Sequence, residues 1–407
     1  MRHKVTVLGG CGVVGSMAVR TLVSSGYFPE VVIADRELGA ARALAADLGP
    51  ERVSAVEMDA DDPESLRRAV GDAGLVLNCV GPFYVYGPPI LEAAVAAGVN
   101  YVDVCDDLDA TLEMLKLDRK ARDAGVSALM GMGSSPGMAN LLAKFAAERL
   151  LSEVDAVDIY HTHGGEPVEG PGVIKHRFHS MEIDIPVFLD GEHRTVRLFE
   201  ESGRALEEET DFRGVGTCPV YPYPHPETIT LPRYIKGVRR VTNLGSVLPI
   251  SYFQLTREMV RLGITSSKPL QVQGRTVIPR EFAVAFLLSR RDRLIEEAGM
   301  EEQMGCLKIV AKGTRDGEPH TYVFQMSSRG MAVGEGTGIP AALGAIMMGQ
   351  GRIAAKGVFP PEAAVDPLEM IQLAGEVLKS SGRGESAPIY IEHIDKDGRV
   401  EAVDLRL

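Results

Sequence analysis

The sequence has few disulfide candidates, no long apolar run and a deficit of positive charge. Its five cysteines, at 11, 79, 105, 218 and 306, are odd in number and widely spaced, with no Cys-x-x-Cys pair. That excludes a disulfide framework or a cysteine-based zinc site and leaves reduced thiols, with Cys79 and Cys105 expected as packing in buried strands. No apolar stretch is long enough to cross a bilayer, and the chain runs directly into its first strand without a cleavable leader, so the expected compartment is the cytoplasm. Lys and Arg number 43 against 56 Asp and Glu, a net charge of −13 at pH 7. Such a surface is a poor partner for nucleic acid or an anionic membrane. Repeats and low-complexity segments are also missing. What remains is an ordinary globular composition, 45% hydrophobic and 24% charged, in a 407-residue chain that suggests about two domains.

Against that background one stretch stands out. Val5-Thr6-Val7-Leu8 is an apolar run that breaks into glycines and resumes as Ser16-Met17-Ala18-Val19, the pattern of strand, tight turn and helix. Gly10, Gly12 and Gly15 fall in the G-x-G-x-x-G register, with Cys11, Val13 and Val14 between them. One glycine makes the turn, one lets backbone approach a pyrophosphate, and one lets helix pack on strand, while the helix N-terminus faces the phosphates. The next strand, Val31-Val32-Ile33-Ala34, ends in Asp35 at the spacing of the acidic residue that holds a ribose. A carboxylate there accepts ribose hydroxyls and repels a 2′-phosphate, which favours NAD. Arg36 follows at once and is suited to a 2′-phosphate, so NADP stays open.

Strand and helix continue to alternate as far as Met130, which implies a doubly wound parallel sheet of the Rossmann type. Asp59, Asp61 and Asp62 before Pro63 read first as helix caps, and Asp59 is also carried as a cofactor contact. The strand Leu75 to Val80 stops at Gly81-Pro82-Phe83, placing Cys79, Val80, Gly81 and Pro82 at the carboxyl edge of the sheet, where nucleotides sit. A serine-proline-glycine break at Gly131 to Gly137 marks the domain boundary. Beyond it come alternating strands and Asp-Gly hairpin turns at 190–191, 316–317 and 397–398, the pattern of an α+β unit with a mostly antiparallel sheet.

Hydride transfer between a nicotinamide and a substrate carbon needs a base, a cation for any substrate carboxylate and walls that exclude water. Asp103, Asp106 and Asp107 lie at or beyond the end of a parallel strand, where Asp103 and Asp106 are catalytic candidates and Asp107 a substrate contact, with helix capping as the competing role. Lys175-His176-Arg177-Phe178-His179, if extended, puts Lys175, Arg177 and His179 on one face toward a carboxylate, with Lys175 and Arg177 as substrate ligands and His179 as a catalytic candidate; a solvated basic edge competes. Arg233 is a second carboxylate candidate, and Tyr84 and Tyr86 are candidate walls of the nicotinamide pocket. His225, between prolines, is a base or a turn residue. His161 and His163 share a strand face, but no third metal ligand is evident, and no metal is expected.

With these residues in view, the chain resembles the saccharopine dehydrogenase-like family, which includes saccharopine reductase and lysine 6-dehydrogenase. The resemblance rests on Gly9 to Gly15, on Asn78-Cys79-Val80-Gly81-Pro82-Phe83 with Tyr86-Gly87, and on Tyr101-Val102-Asp103. It continues in Gly131 to Asn140 and in Gly336-Thr337-Gly338-Ile339-Pro340-Ala341-Ala342. It implies a Rossmann domain of residues 1–135 and 331–385 completed by C-terminal helices, with an inserted substrate and dimerisation domain over 136–330. A hairpin over 386–407 is left unassigned. It further implies a homodimer and NAD(P)-dependent hydride transfer at a CH–NH or C=N bond of an amino acid or its imine adduct. A carboxynorspermidine-type condensing reductase and a non-catalytic NAD(H) sensor are the competing functions.

Overall fold

The computed structural model describes residues 4–167, 169–330, 332–380 and 389–403, and all counts refer to these. The expected boundaries at 331 and at 385/386 lie outside them. Through the first part of the chain β1 (Lys4–Leu8) leads into α1 (Val13–Ser25), β2 (Glu30–Asp35) into α2 (Leu38–Leu48), and β3 (Val53–Glu57) into α3 (Pro63–Gly71). Next come β4 (Leu75–Asn78), α4 (Phe83–Ala97), β5 (Asn100–Asp103), α5 (Leu108–Leu115), α6 (Asp118–Asp123), β6 (Ser127–Leu129) and α7 (Met138–Phe145). Asp62 caps α3 by accepting the Glu64 N–H at 2.9 Å, and Pro63 starts that helix, as the sequence suggests. The six strands are parallel, in the order β6-β5-β4-β1-β2-β3. Val5, Val7 and Leu8 of β1 and Val31 to Ala34 of β2 are all buried, because helices cover both faces of a parallel sheet. β1 lies between β2 and β4, so the crevice at this switch in strand order opens at the carboxyl ends.

The middle of the chain builds a second sheet. It contributes β7 (Glu153–Gly164), α8 (Pro171–Glu182), β8 (Ile185–Leu189), β9 (Glu192–Val196), α9 (Glu201–Arg204), β10 (Glu208–Phe212) and β11 (Gly216–Pro222). Then follow α10 (Glu227–Tyr234), β12 (Arg240–Leu248), α11 (Ile250–Arg261), the small hairpin β13 (Leu270–Val272) and β14 (Arg275–Val277), and α12 (Pro279–Glu297). β15 (Met304–Arg315) and β16 (Glu318–Arg329) complete it. The turns at Asp190-Gly191 and Asp316-Gly317 have positive φ at both residues, the geometry that matches the twist of paired strands. Strand pairing is antiparallel except between β12 and β7.

The chain then returns to the first sheet through α13 (Ala332–Gly349), β17 (Gly357–Phe359), α14 (Pro361–Ala364) and α15 (Pro367–Ser380). β17 pairs parallel with β6, giving seven strands. α13 crosses α1 so closely that a Cβ on Gly338 would lie 2.6 Å from the Val14 carbonyl oxygen, and one on Gly334 would lie 3.1 Å from that of Val13. The final hairpin, β18 (Tyr390–Ile394) and β19 (Val400–Val403), adds to β16 and brings the second sheet to ten strands. None of the described helices is long and apolar enough to cross a membrane.

One local expectation fails. Residues 175–179 are not extended; they lie within α8, which starts at Pro171 and buries Ile174, Arg177, Phe178 and Met181 at helical spacing. Lys175, Arg177 and His179 therefore do not share a face.

Candidate active site

The glycine turn is built by close approach. Gly9 has a φ of +70°, and a Cβ on Gly15 would sit 2.1 Å from the Gly9 carbonyl oxygen. A Cβ on Gly10 would lie 2.9 Å from a methyl of Ile33. With side chains excluded there, the first turn of α1 lies directly over the end of β1. The Cys11 N–H donates to Asp35 Oδ2 at 2.9 Å, and the Glu37 N–H donates to Oδ1 at 3.1 Å, so Asp35 ties the turn to the end of β2. Burial and the neighbouring Asp35 carboxylate push the Cys11 thiol up to about 11, which keeps it a neutral thiol. Arg36 is exposed beside Asp35. Tyr86, expected at the nicotinamide, instead donates its hydroxyl to Asp61 Oδ1 at 3.0 Å. Asp59 accepts the Asp61 N–H at 3.0 Å, a turn-forming role.

A cavity of about 890 Å³ runs from this turn to the second sheet. Val14, Cys79, Gly81 and Pro82 line its cofactor end, and Asp106, Asp107, His176 and Arg177 line its other side. His176, which α8 extends toward the loop after β5, places Nδ1 2.8 Å from Asp107 Oδ1 and Nε2 3.8 Å from Asp106 Oδ2. Burial opposes charge on this ring, but the two carboxylates outweigh it and push His176 up to about 9. Asp107 also accepts the Tyr84 N–H at 3.0 Å, and its carboxyl is held below its ordinary value despite burial, chiefly by His176. Asp106 is raised, by burial first. Ligand atoms of Asp106, Asp107 and His176 lie within 4.8 Å of one another, a spacing that would also accept a cation. The ion pair accounts for the arrangement without one.

Arg177 points the other way on α8. Its Nη2 donates to Glu169 Oε1 at 2.6 Å, while Nη1 is buried without a hydrogen-bond partner among the described residues. Glu169 Oε2 accepts the Tyr252 hydroxyl at 2.7 Å and lies 3.6 Å from Arg291 Nε. Arg291 also pairs with Asp292, Nη1 to Oδ1 at 2.9 Å, so the two guanidiniums face two carboxylates, while a buried donor without a partner is costly unless a ligand takes it.

A third group lines the cavity between the sheets. His225, just before α10, has Nδ1 3.3 Å from Glu227 Oε2 and 3.4 Å from Ser135 Oγ. The Ser135 hydroxyl donates to Glu227 Oε1, and Asn243 Nδ2 of β12 donates to Ser135 Oγ at 3.4 Å. The His225 ring stacks on His161 at 5.2 Å between centroids, with Tyr223 edge-on at 5.2 Å. His161 fits because its neighbour on β12 is Gly245, where a Cβ would lie 2.1 Å from the imidazole. Burial, and then the His225 charge, hold His161 well below its ordinary value, so it stays neutral.

Asp103 is corrected out of the reacting set. It is wholly buried, does not line the cavity, and its Oδ1 accepts the N–H groups of Cys105 and Gly131 at 3.0 and 2.7 Å. It therefore pins the turn after β5 to that after β6, and burial pushes it up to about 6. His179 bonds Asp109 at 3.0 Å and stacks on Tyr84, Lys175 pairs with Glu281 at 2.8 Å, and Arg233 is exposed on α10; none of the three lines the cavity. Asp106, Asp107 and Arg177 do. His176, Ser135, Glu227 and Tyr223 enter the site without having been singled out, and only the helical spacing Ile174, Phe178, Met181 behind Pro171 signals which way His176 faces.

The parallel sheet, the glycine turn and the cavity at its mouth have the form of a Rossmann-type NAD(P)-binding protein. Residues 5–129 match the family model described as saccharopine dehydrogenase NADP binding domain. The sequence is 24% identical to carboxyaminopropylagmatine dehydrogenase of Synechocystis sp. over 92% of this chain and 96% of that one. It is also 24% identical to carboxynorspermidine synthase of Vibrio alginolyticus, over 88% of this chain and 92% of that one. The fold matches saccharopine dehydrogenase (L-Glu forming) of Saccharomyces cerevisiae with a TM-score of 0.67 at 16% identity, covering 98% of this chain and 100% of that one. The family model and these relatives support a saccharopine dehydrogenase-like family for the chain, and the solved structure shows a shared fold.

Proposed function

We propose that the protein transfers hydride at the CH–NH or C=N bond of a carboxylate-bearing amine, acting as a reductase of the imine formed between an aldehyde and an amine. The observation that carries this is the polarity of the cavity. The side away from the cofactor end carries both a guanidinium, that of Arg177, and the acidic pair Asp106 and Asp107. That arrangement suits a substrate with a carboxylate at one end and an ammonium at the other, and the full-length relatives bear the names of enzymes of amine chemistry.

The turn of Gly9 to Gly15 and Asp35 fit a dinucleotide, whose reduced nicotinamide supplies hydride when bound. Around it the chain anchors the substrate carboxylate through Arg177 and orients the amine through Asp106. Asp107 and His176 hold the Asp106 loop in place, and the apolar lining at Val14, Phe83 and Met138 excludes water.

The test is loss of reduced-nicotinamide absorbance over a panel of lysine, saccharopine, other diamino acids and aldehyde-plus-amine pairs. Turnover is expected with a carboxylate-bearing aldehyde and a diamine. Turnover confined to lysine or saccharopine would reject the condensing reading, and tight NAD(P)H binding with no turnover would favour a sensor. Cofactor choice has its own check. Asp35→Ala removes the charge facing a 2′-phosphate beside Arg36, and the ratio of kcat/KM for NADPH over NADH is expected to rise about tenfold, worth about 1.4 kcal/mol. An unchanged ratio would mean that Asp35 serves only to tie the turn.

A further inference from the structure

The geometry points to His225 as the residue that exchanges a proton with the substrate nitrogen, with Glu227 and Ser135 as its positioning residues. This rests on the proposed C=N chemistry and adds the proton that the chemistry requires. When the carbon of a C=N bond takes hydride from reduced nicotinamide, the π pair settles on nitrogen. His225 Nε2 then donates a proton to that nitrogen and becomes neutral imidazole. In the oxidative direction the neutral ring takes the amine proton as the hydride leaves.

Four histidines line the cavity, and their surroundings separate them. His163 is held by Glu166, with Nδ1 2.9 Å from Oε1. His161 has a buried Nε2 with no hydrogen-bond partner among the described residues and is kept neutral chiefly by burial. His176 lies between two carboxylates, so it is a fixed cation and a reluctant donor. His225 differs from all three. Its Nδ1 faces Glu227 and Ser135, its ring plane is set by His161 and Tyr223, and its Nε2 takes no hydrogen bond from a described residue. The Glu227 carboxylate 3.3 Å from Nδ1 and the Ser135 hydroxyl at 3.4 Å favour a proton on Nδ1, which leaves Nε2 as the working nitrogen.

The charges around this ring come from five directions. Glu227 on α10 and Asp106 after β5 favour the imidazolium, while His176 on α8 opposes it. His161 on β7 and Tyr223 after β11 present neutral rings. Burial acts against charge, but the carboxylates prevail and His225 is raised from its ordinary value, toward the working pH of a general acid.

The test uses the full chain with the aldehyde-plus-amine pair that turns over. His225→Asn is expected to lower kcat about 10²- to 10⁴-fold with NAD(P)H affinity unchanged, and to abolish the alkaline limb of kcat/KM in the reductive direction. Glu227→Gln removes the anion that stabilises the imidazolium. It is expected to move that limb to lower pH by about one unit with little change in KM. If Glu227→Gln does not fold, Glu227→Asp keeps the charge but withdraws it from Nδ1, and the limb moves the same way by less. Titration of the ¹³C-labelled histidines by NMR without substrate reads the same coupling independently of turnover. Wild-type kcat in His225→Asn, or a His225 titration unmoved by either Glu227 variant, would overturn the assignment. Wild-type protein that turns over no pair counts against the function itself, and is seen before any variant is made.

Discussion

Alanine at position 15 is expected to weaken NAD(P)H binding about a hundredfold, measured by titration of nucleotide fluorescence, with the far-UV spectrum of the protein retained. The new Cβ would lie 2.1 Å from the Gly9 carbonyl oxygen and 2.9 Å from the Gly10 Cα, both backbone atoms that no rotamer change can move. Relief requires α1 to lift from β1. Overpacking of this kind costs roughly 1–3 kcal/mol, and the upper end corresponds to about a hundredfold in affinity when the displaced element is the binding loop. Gly12 provides the comparison. A Cβ there meets only the Gly9 oxygen at 3.5 Å, an ordinary contact. Alanine at 12 is thus compatible with the protein's own packing, and any affinity it loses reports how closely the pyrophosphate approaches. A Gly15→Ala protein that binds within threefold of wild type would show that the helix slides without cost.

The second large effect is expected at Arg177. Arg177→Met removes the 2.6 Å partner of Glu169 and leaves that carboxylate buried with the Tyr252 hydroxyl and a more distant Arg291. Breaking a buried pair on one side costs about 3–5 kcal/mol, with the lower end expected because Arg291 remains. Thermal unfolding should therefore shift down by several degrees, about 2–4 °C per kcal/mol in a domain of this size. If Arg177 Nη1 also receives the substrate carboxylate, KM for the carboxylate-bearing partner should rise at least tenfold while NAD(P)H affinity holds. The two readouts separate the roles. Lower stability with an unchanged KM would confine Arg177 to the ion pair, and a raised KM with unchanged stability would show that Glu169 is satisfied by its other partners.

The cofactor half of the molecule was legible in the sequence because its signals are local. Glycine register, the carboxylate at the end of β2 and strand-helix alternation each lie within a few tens of residues, and the Asp-Gly hairpins announce themselves in two. The substrate side was legible only in part. Asp106 and Asp107 were found because they follow a strand of the parallel sheet, whereas the segment of Lys175 to His179 was read with a period of two where the true period is that of a helix. Its positive groups obscured the apolar spacing of Ile174, Phe178 and Met181. His225 is legible by itself, as a base or a turn residue between prolines, but its grouping with Ser135 and Glu227 is not, since Ser135 and His225 are 90 residues apart and meet only in the folded chain. Asp103 failed for another reason. An acidic residue at a strand end can serve the cleft or the backbone, and only the two N–H groups aimed at it decide.

The seat of Gly334 and Gly338 against Val13 and Val14 also has a consequence in time. During synthesis the glycine turn is made first, but the helix that covers it emerges only after β7 to β16, which include eight of the ten strands of the second sheet. A chain halted before α13 lacks the support of its own nucleotide loop. The nucleotide is thereby withheld as a folding ligand from chains halted before α13, and its stabilising effect is available only to molecules in which all of the second sheet but its final hairpin has been translated.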